Sequence, residues 1–123
     1  MEGDIRMHFP IRRVDKPWGY ELIFAHTERY VGKILHVDAG HALSLQYHEV
    51  KDETLYMTEG EVELVVEEDG ALVSRTLRGG DSYRITPGTR HRMVAGANGC
   101  DIIEVSTPEL EDVVRLEDRY GRA

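Results

Sequence analysis

Cysteine is almost absent from this sequence. Cys100 is the single one in 123 residues, which excludes an intramolecular disulfide and any zinc cluster built on cysteine. Long apolar runs are missing too, and none approaches the ~20 residues of a membrane-spanning helix. Basic charge is scarce: 15 Lys and Arg stand against 23 Asp and Glu, a net of −8 at pH 7. A surface of that sign repels nucleic-acid phosphates and lacks the polybasic patch of a membrane anchor. The start, Met1-Glu2-Gly3-Asp4-Ile5-Arg6, is charged and shows no signal-peptide core. These absences lead us to expect a cytoplasmic protein without nucleic-acid or membrane partners. A chain of 14.0 kDa suffices for one domain with its own core and falls short of two.

Apolar residues seldom recur at helical spacing. They form short runs rich in Val, Ile, Leu and Tyr: Trp18–Phe24, Tyr30–Val37, Leu43–His48, Glu53–Thr58, Glu61–Glu67, Ala71–Leu77, Asp81–Thr86, His91–Val94 and Asp101–Ser106. Gly, Pro and Asp separate them, the pattern of an all-β sandwich or barrel. Asp69-Gly70 lies between two alternating runs and predicts a hairpin, because glycine accepts the positive φ of a tight turn. The expected organisation is an N-terminal arm over 1–15, a barrel over 16–107 and a C-terminal segment over 108–123. Val113, Val114 and Leu116 would dock that segment on the barrel, as a strand or as a helical turn.

One constellation carries chemistry. Ser44, Gln46 and His48 share one face of a strand, since side chains alternate. Four residues separate His48 from Glu53, enough for a turn that brings the carboxylate back beside the imidazole. Thr86-Pro87-Gly88-Thr89-Arg90-His91 is a second turn that launches a strand with a histidine at its start. Two imidazoles, a carboxylate and an amide oxygen form a ligand set for one divalent ion per chain: zinc first, with manganese, iron or nickel also suited.

The spacing resembles that of the cupins. Gly40, Gln46-Tyr47-His48, Glu53 and Gly60 match the first cupin motif, with Gln46 in place of the usual first histidine. Gly80, Thr86, Pro87, Gly88 and His91 match the second, with Thr86 at the usual proline and Ala95 at the usual asparagine. The resemblance implies a single-domain double-stranded β-helix, or jelly-roll, barrel. Ser44 to His48 with Glu53, Lys16-Pro17-Trp18-Gly19 near the start, and the ending Val114 to Arg122 resemble the cupin domain of type II mannose-6-phosphate isomerases. That narrower resemblance implies Gln46, His48, Glu53 and His91 as metal ligands. It departs at Glu49, Val50 and Lys51, where the family carries more histidines and an arginine.

Aldose–ketose isomerisation moves a proton between adjacent carbons through an enediolate, whose negative charge a metal offsets. Glu104 and His41 are the candidates for carrying the proton. Glu104 lies on an inward parity and has two further readings, an exposed position or a salt bridge to Arg92 or Lys33; His41 has the alternative of an exposed loop histidine. Lys33, Arg92 and Arg122 are candidates for a substrate phosphate. Lys33 sits in a core-facing stripe with Val31, Leu35 and Val37, either as a cavity cation or as a snorkelling side chain. Trp18 reads as a core or interface residue, and Tyr47 and Tyr56 as outward-facing. The expected ligand is a sugar or sugar phosphate. The alternatives are another metal-dependent cupin enzyme, such as a dioxygenase, or a non-catalytic binding module. A homodimer of C₂ symmetry is expected, because open sheets carry exposed edges.

Overall fold

The computed structural model describes residues 7–122; residues 1–6 of the expected arm, and Ala123, lie outside the described residues. Nine strands occupy the described residues: β1 (Arg12–Lys16), β2 (Gly19–His26), β3 (Val31–Val37), β4 (Leu45–Tyr47), β5 (Glu53–Glu68), β6 (Ala71–Arg78), β7 (Ser82–Ile85), β8 (His91–Ser106) and β9 (Val114–Glu117). No α-helix occurs among them, so none is long and apolar enough to cross a membrane. The all-β expectation holds.

All pairings are antiparallel. The sheet runs β1-β2-β3-β8-β4-β9, and β5 pairs with β6, β7 and β8. β5 and β8 are each 16 residues long, and each serves both halves of the sheet. The first half of β5 pairs with the second half of β8, Glu53 with Ser106 and Tyr56 with Ile103. Beyond a register shift, Val62 pairs with Ala95 and Val66 with His91. Both strands therefore bend at one corner, and the sheet curls on itself. Glycine makes the corner possible. Gly60 has φ +79, and a Cβ there would lie 2.4 Å from the Gly99 carbonyl oxygen.

This corner explains where the observed strands depart from expectation. Glu53–Thr58 and Glu61–Glu67 were expected as separate strands, because Gly60 interrupts the run between them. They are one strand through a bulge. His91–Val94 and Asp101–Ser106 join in the same way across Gly96 and Gly99. The sheet also takes in Arg12–Asp15 as most of β1, paired with β2, residues expected in the arm. The C-terminal segment resolves to the strand alternative, with Tyr47 opposite Val114 and Gln46 opposite Arg115. The Asp-Gly hairpin forms as expected: Asp69 (φ +53) and Gly70 (φ +81) are the two turn residues between β5 and β6, the positive-φ pair of a type I′ turn.

The core lies inside the curl. Leu55 and Met57, then Val62, Leu64 and Val66 point inward from β5; Met93, Ala95 and Ile102 do so from β8; Leu35 and Val37 do so from β3. Each fully buried aliphatic side chain contributes roughly 1.5–3 kcal/mol. Trp18 is buried in this cluster, in line with its core reading. Tyr56 is exposed and Tyr47 half-buried. Five inward strand positions break the apolar rule: Lys33, Glu53, His91, Glu104 and Ser106 are all buried. Burying such groups is costly unless they are paired, so the barrel interior holds a polar site.

Candidate metal centre and cavity

Strand ends assemble the centre. Gln46 lies on β4, directly opposite His91, the first residue of β8. His48 follows β4 and Glu53 opens β5. One ligand atom each from His48, Glu53 and His91 fall within 4.8 Å of one another, and all three residues are buried. Glu53 Oε1 lies 3.3 Å from His91 Nε2 and 3.6 Å from His48 Nε2.

Main-chain carbonyls fix both rings. His91 Nδ1 donates to Thr89 O at 2.9 Å, and His48 Nδ1 donates to Asp112 O. A carbonyl only accepts, so the proton of each neutral ring sits on Nδ1 and each Nε2 keeps its lone pair. Both lone pairs are aimed toward Glu53. His91 Nε2 is buried without a hydrogen-bond partner, an arrangement that costs free energy and that a cation would relieve. Held carbonyl partners of this kind orient metal-binding imidazoles generally. The donor set, two imidazoles and a carboxylate, therefore fits a divalent transition ion.

Gln46 reaches the same place. Its Nε2 lies 3.5 Å from His48 Nε2, and its Oε1 accepts a hydrogen bond from Ser44 Oγ at 2.6 Å. Half a turn of the amide exchanges its ends. The oxygen then faces the imidazole, while the amide donates to the Ser44 hydroxyl.

The second feature is a row of buried charge. Lys51 Nζ lies 3.1 Å from Glu53 Oε2 and 2.9 Å from Glu104 Oε2. Glu104 stands opposite Lys33 across the β3–β8 ladder, and Lys33 Nζ lies 3.4 Å from Glu21 Oε1. Glu53, Lys51, Glu104, Lys33 and Glu21 thus alternate in sign along the wall. Burial opposes ionisation of Glu53, but hydrogen bonds that the His48 and His91 Nε2 atoms make when they carry a proton, together with the charge of Lys51, outweigh it and hold the carboxyl well below the usual range. In neutral rings protonated on Nδ1, a cation takes the place of those protons. For Glu104 the balance reverses: burial first, then the charge of Glu53, push its pKa up against the pull of Lys51 and Lys33. Burial also works against the Lys51 ammonium, yet the two carboxylates raise its pKa above the ordinary lysine value.

A cavity of about 260 Å³ opens over this row. Its lining includes Gln46, His48, Lys51, Glu104 and Lys33, and toward other elements Arg12, Lys16, Arg115 and Arg122. Six cationic side chains thus face it, against the carboxylates of Glu21, Glu104 and Glu111, although the whole chain is acidic.

The structure brings together Gln46, His48, Glu53, His91, Glu104, Lys33 and Arg122. Two other candidates lie elsewhere. Arg92 alternates with the inward His91 and Met93 and so faces outward; it donates to the carbonyls of Leu43 and Glu117 and is absent from the cavity lining. His41 hydrogen-bonds Tyr120 Oη at 2.7 Å and stacks on its ring, also outside the lining. Arg122 reaches the cavity while held by Asp118 at 2.9 Å, a pairing that lowers the Asp118 pKa to about 2. Glu104 pairs with Lys51 rather than Arg92. Sequence reasoning noted Lys51 only as a departure from a motif. Its parity with the inward Glu53, Leu55 and Met57 was the available signal. Asp112 was missed outright. Its carboxylate accepts the backbone N–H groups of Glu49, Val50 and Lys51 at 3.0, 2.8 and 2.9 Å, gripping the turn between His48 and Glu53.

A curled antiparallel sheet with a His/Glu/His centre inside it defines a class, and comparison with known proteins gives it a name. The cupin-domain family model matches residues 33–105; the chain belongs to the cupin family. It is 36% identical over 120 residues to "Mannose-1-phosphate guanylyltransferase ManC" of Salmonella typhimurium, covering 94% of this chain and 24% of that protein. It is 35% identical over 116 residues to "Mannose-1-phosphate guanylyltransferase" of Escherichia coli, covering 90% and 23%. The chain thus spans about a quarter of the length of the curated relatives it matches. Among solved structures, KdgF from Halomonas sp. superposes with TM-score 0.72 at 26% identity, over 82% of this chain and 89% of that one. Oxalate decarboxylase from Bacillus subtilis superposes with TM-score 0.77 at 17% identity, over 86% and 30%, which concerns the fold alone.

Proposed function

We propose that this cupin is a metal-dependent aldose–ketose isomerase acting on a sugar phosphate, with zinc as its ion. The observation that carries the reading is a buried carboxylate, Glu104, raised in pKa and facing a cation-lined cavity beside a His/Glu/His centre. Similarity to proteins named mannose-1-phosphate guanylyltransferase and to the cupin domain of mannose-6-phosphate isomerases supports a phosphorylated sugar.

In this reading Gln46, His48, Glu53 and His91 hold the ion. A divalent ion there supplies a Lewis acid that polarises a carbonyl oxygen and offsets the charge developing on it. Glu104 is the base: it takes the proton from the carbon beside the carbonyl and returns it to the neighbouring carbon. Its raised pKa suits that exchange, because a carboxylate basic enough to accept a carbon-bound proton must also release it. Lys51, 2.9 Å away, keeps the carboxylate aimed. Lys33 on the wall and Arg12, Lys16 and Arg122 elsewhere in the lining receive the phosphate, whose binding energy acts at a distance from the reacting carbons. We place the protein in the cytoplasm as a C₂ homodimer, in which an exposed edge such as β1 would be covered.

The test is solvent-deuterium exchange by NMR on zinc-loaded protein with aldose and ketose phosphates, beside a chelated control. Deuterium should enter at the carbon next to the carbonyl only with metal present. Glu104→Gln should keep its metal and lose exchange by roughly 10²–10⁴-fold. Full metal occupancy without exchange would sink the isomerase reading. It would move the site to dioxygenase chemistry, checked by dioxygen uptake with iron, or to a binding role, checked by saturable ligand binding without turnover.

A further inference from the structure

We propose that Lys51 is a positioning residue that restricts Glu53 to a single liganding oxygen. The inference rests on the metal reading of His48, Glu53 and His91. The two oxygens of Glu53 have different surroundings. Oε1 faces both imidazole Nε2 atoms, at 3.3 and 3.6 Å. Oε2 faces the Lys51 ammonium at 3.1 Å. The three side chains of the Glu53–Lys51–Glu104 row are each 5% exposed or less, so these contacts are weakly screened by solvent.

A free carboxylate can bind a metal through one oxygen or through both. The Lys51 ammonium holds Oε2 by charge at 3.1 Å without an aligned hydrogen bond, and so biases the other oxygen to be the ligand. The centre then keeps one more position open for a substrate oxygen. The same ammonium lies 2.9 Å from Glu104 Oε2, so the residue that sets the ligand also fixes where the cavity carboxylate stands relative to it. A merely structural Lys51 would do less: it would only balance two buried negative charges.

Cobalt(II) separates the two roles, because its visible absorption weakens as coordination number rises. Removing Lys51 alone would leave Glu53 and Glu104 facing each other uncompensated, so the variant is Lys51→Met combined with Glu104→Gln, compared with Glu104→Gln alone. The single variant should keep the wild-type cobalt spectrum. The double variant should show a severalfold weaker band, as Glu53 turns to bind through both oxygens. A double variant that binds cobalt with the wild-type spectrum overturns the proposal. A second measurement needs no Lys51 variant. In the infrared difference between zinc-loaded and metal-free wild type, the Glu53 carboxylate, assigned by its loss in Glu53→Gln, should show the wide splitting of one-oxygen ligation. A narrow splitting overturns the proposal while leaving the metal reading intact. Wild-type protein that binds neither cobalt nor zinc overturns both.

Discussion

Replacing Asp112 by asparagine tests how the C-terminal segment supports the centre. The carboxylate accepts three backbone N–H groups, those of Glu49, Val50 and Lys51. The carbonyl of the same residue holds His48 Nδ1. Asp112→Asn keeps the shape but removes the charge and points an NH₂ group at N–H donors. Three charge-assisted hydrogen bonds at ~1.5 kcal/mol each set an upper figure; the turn is largely exposed at Glu49 and Val50, so solvent screening reduces it to about 2 kcal/mol. Urea denaturation of metal-free protein should report that loss. The same slackening frees the His48 ring, and zinc affinity in a chelator competition should fall by about 10–100-fold, the usual effect of losing a partner that orients a ligand. Acid supplies an internal check. The N–H groups of Val50, Lys51 and Glu49 hold the Asp112 pKa below its ordinary value. Its contribution is therefore present above an unfolded pKa of about 3.9 and disappears as pH falls through the lower folded value. The stability gap between wild type and variant should close in that range. Wild-type zinc affinity in Asp112→Asn, or a gap that survives below the folded pKa, refutes the reasoning.

Two other variants probe different levels. Zinc at a hundredfold excess over its Kd should stabilise the wild type by about 2.7 kcal/mol, and His91→Ala should gain almost nothing under the same conditions; equal stabilisation in thermal melts would remove His91 from the centre. Gly60 and Gly70 have nearly the same φ, +79 and +81, but only Gly60 has a neighbour within 4 Å of an added Cβ. Gly70→Ala should cost about 1–2 kcal/mol of left-handed strain. Gly60→Ala should cost clearly more, because it also displaces the Gly99 backbone, and equal losses in denaturant midpoints would contradict the corner described above.

Local chemistry made much of this legible. The Asp69-Gly70 turn, the alternation in β5 and β8, and the ligands of the two motifs all depend on neighbours within a few residues. Strand continuity did not. A glycine at a barrel corner and a glycine in a turn look alike in one dimension, and only the partner strand decides that Gly60 sits within a strand. The partners of the site were equally hidden. Parity could place Arg92 on the outer face of β8, but nothing local says that Asp112 lies against His48. An inward Glu104 was one of the open readings, whereas its ion pair with Lys51 depends on how the turn before β5 meets β8.

The centre is also a late event in the life of the chain. His48 meets a carbonyl 64 residues away, and His91 lies between them in sequence while touching neither until β4, β5 and β8 are paired. Closing loops of that length precedes any contact they make, and topologies dominated by such contacts fold slowly. His91 reaches His48 and Glu53 only through the β4–β8 and β5–β8 pairings. An ion that needs all three ligands would therefore bind after those pairings form, and would slow opening of the barrel more than it hastens its formation. Metal supply would set how long each molecule lasts more than how quickly it matures.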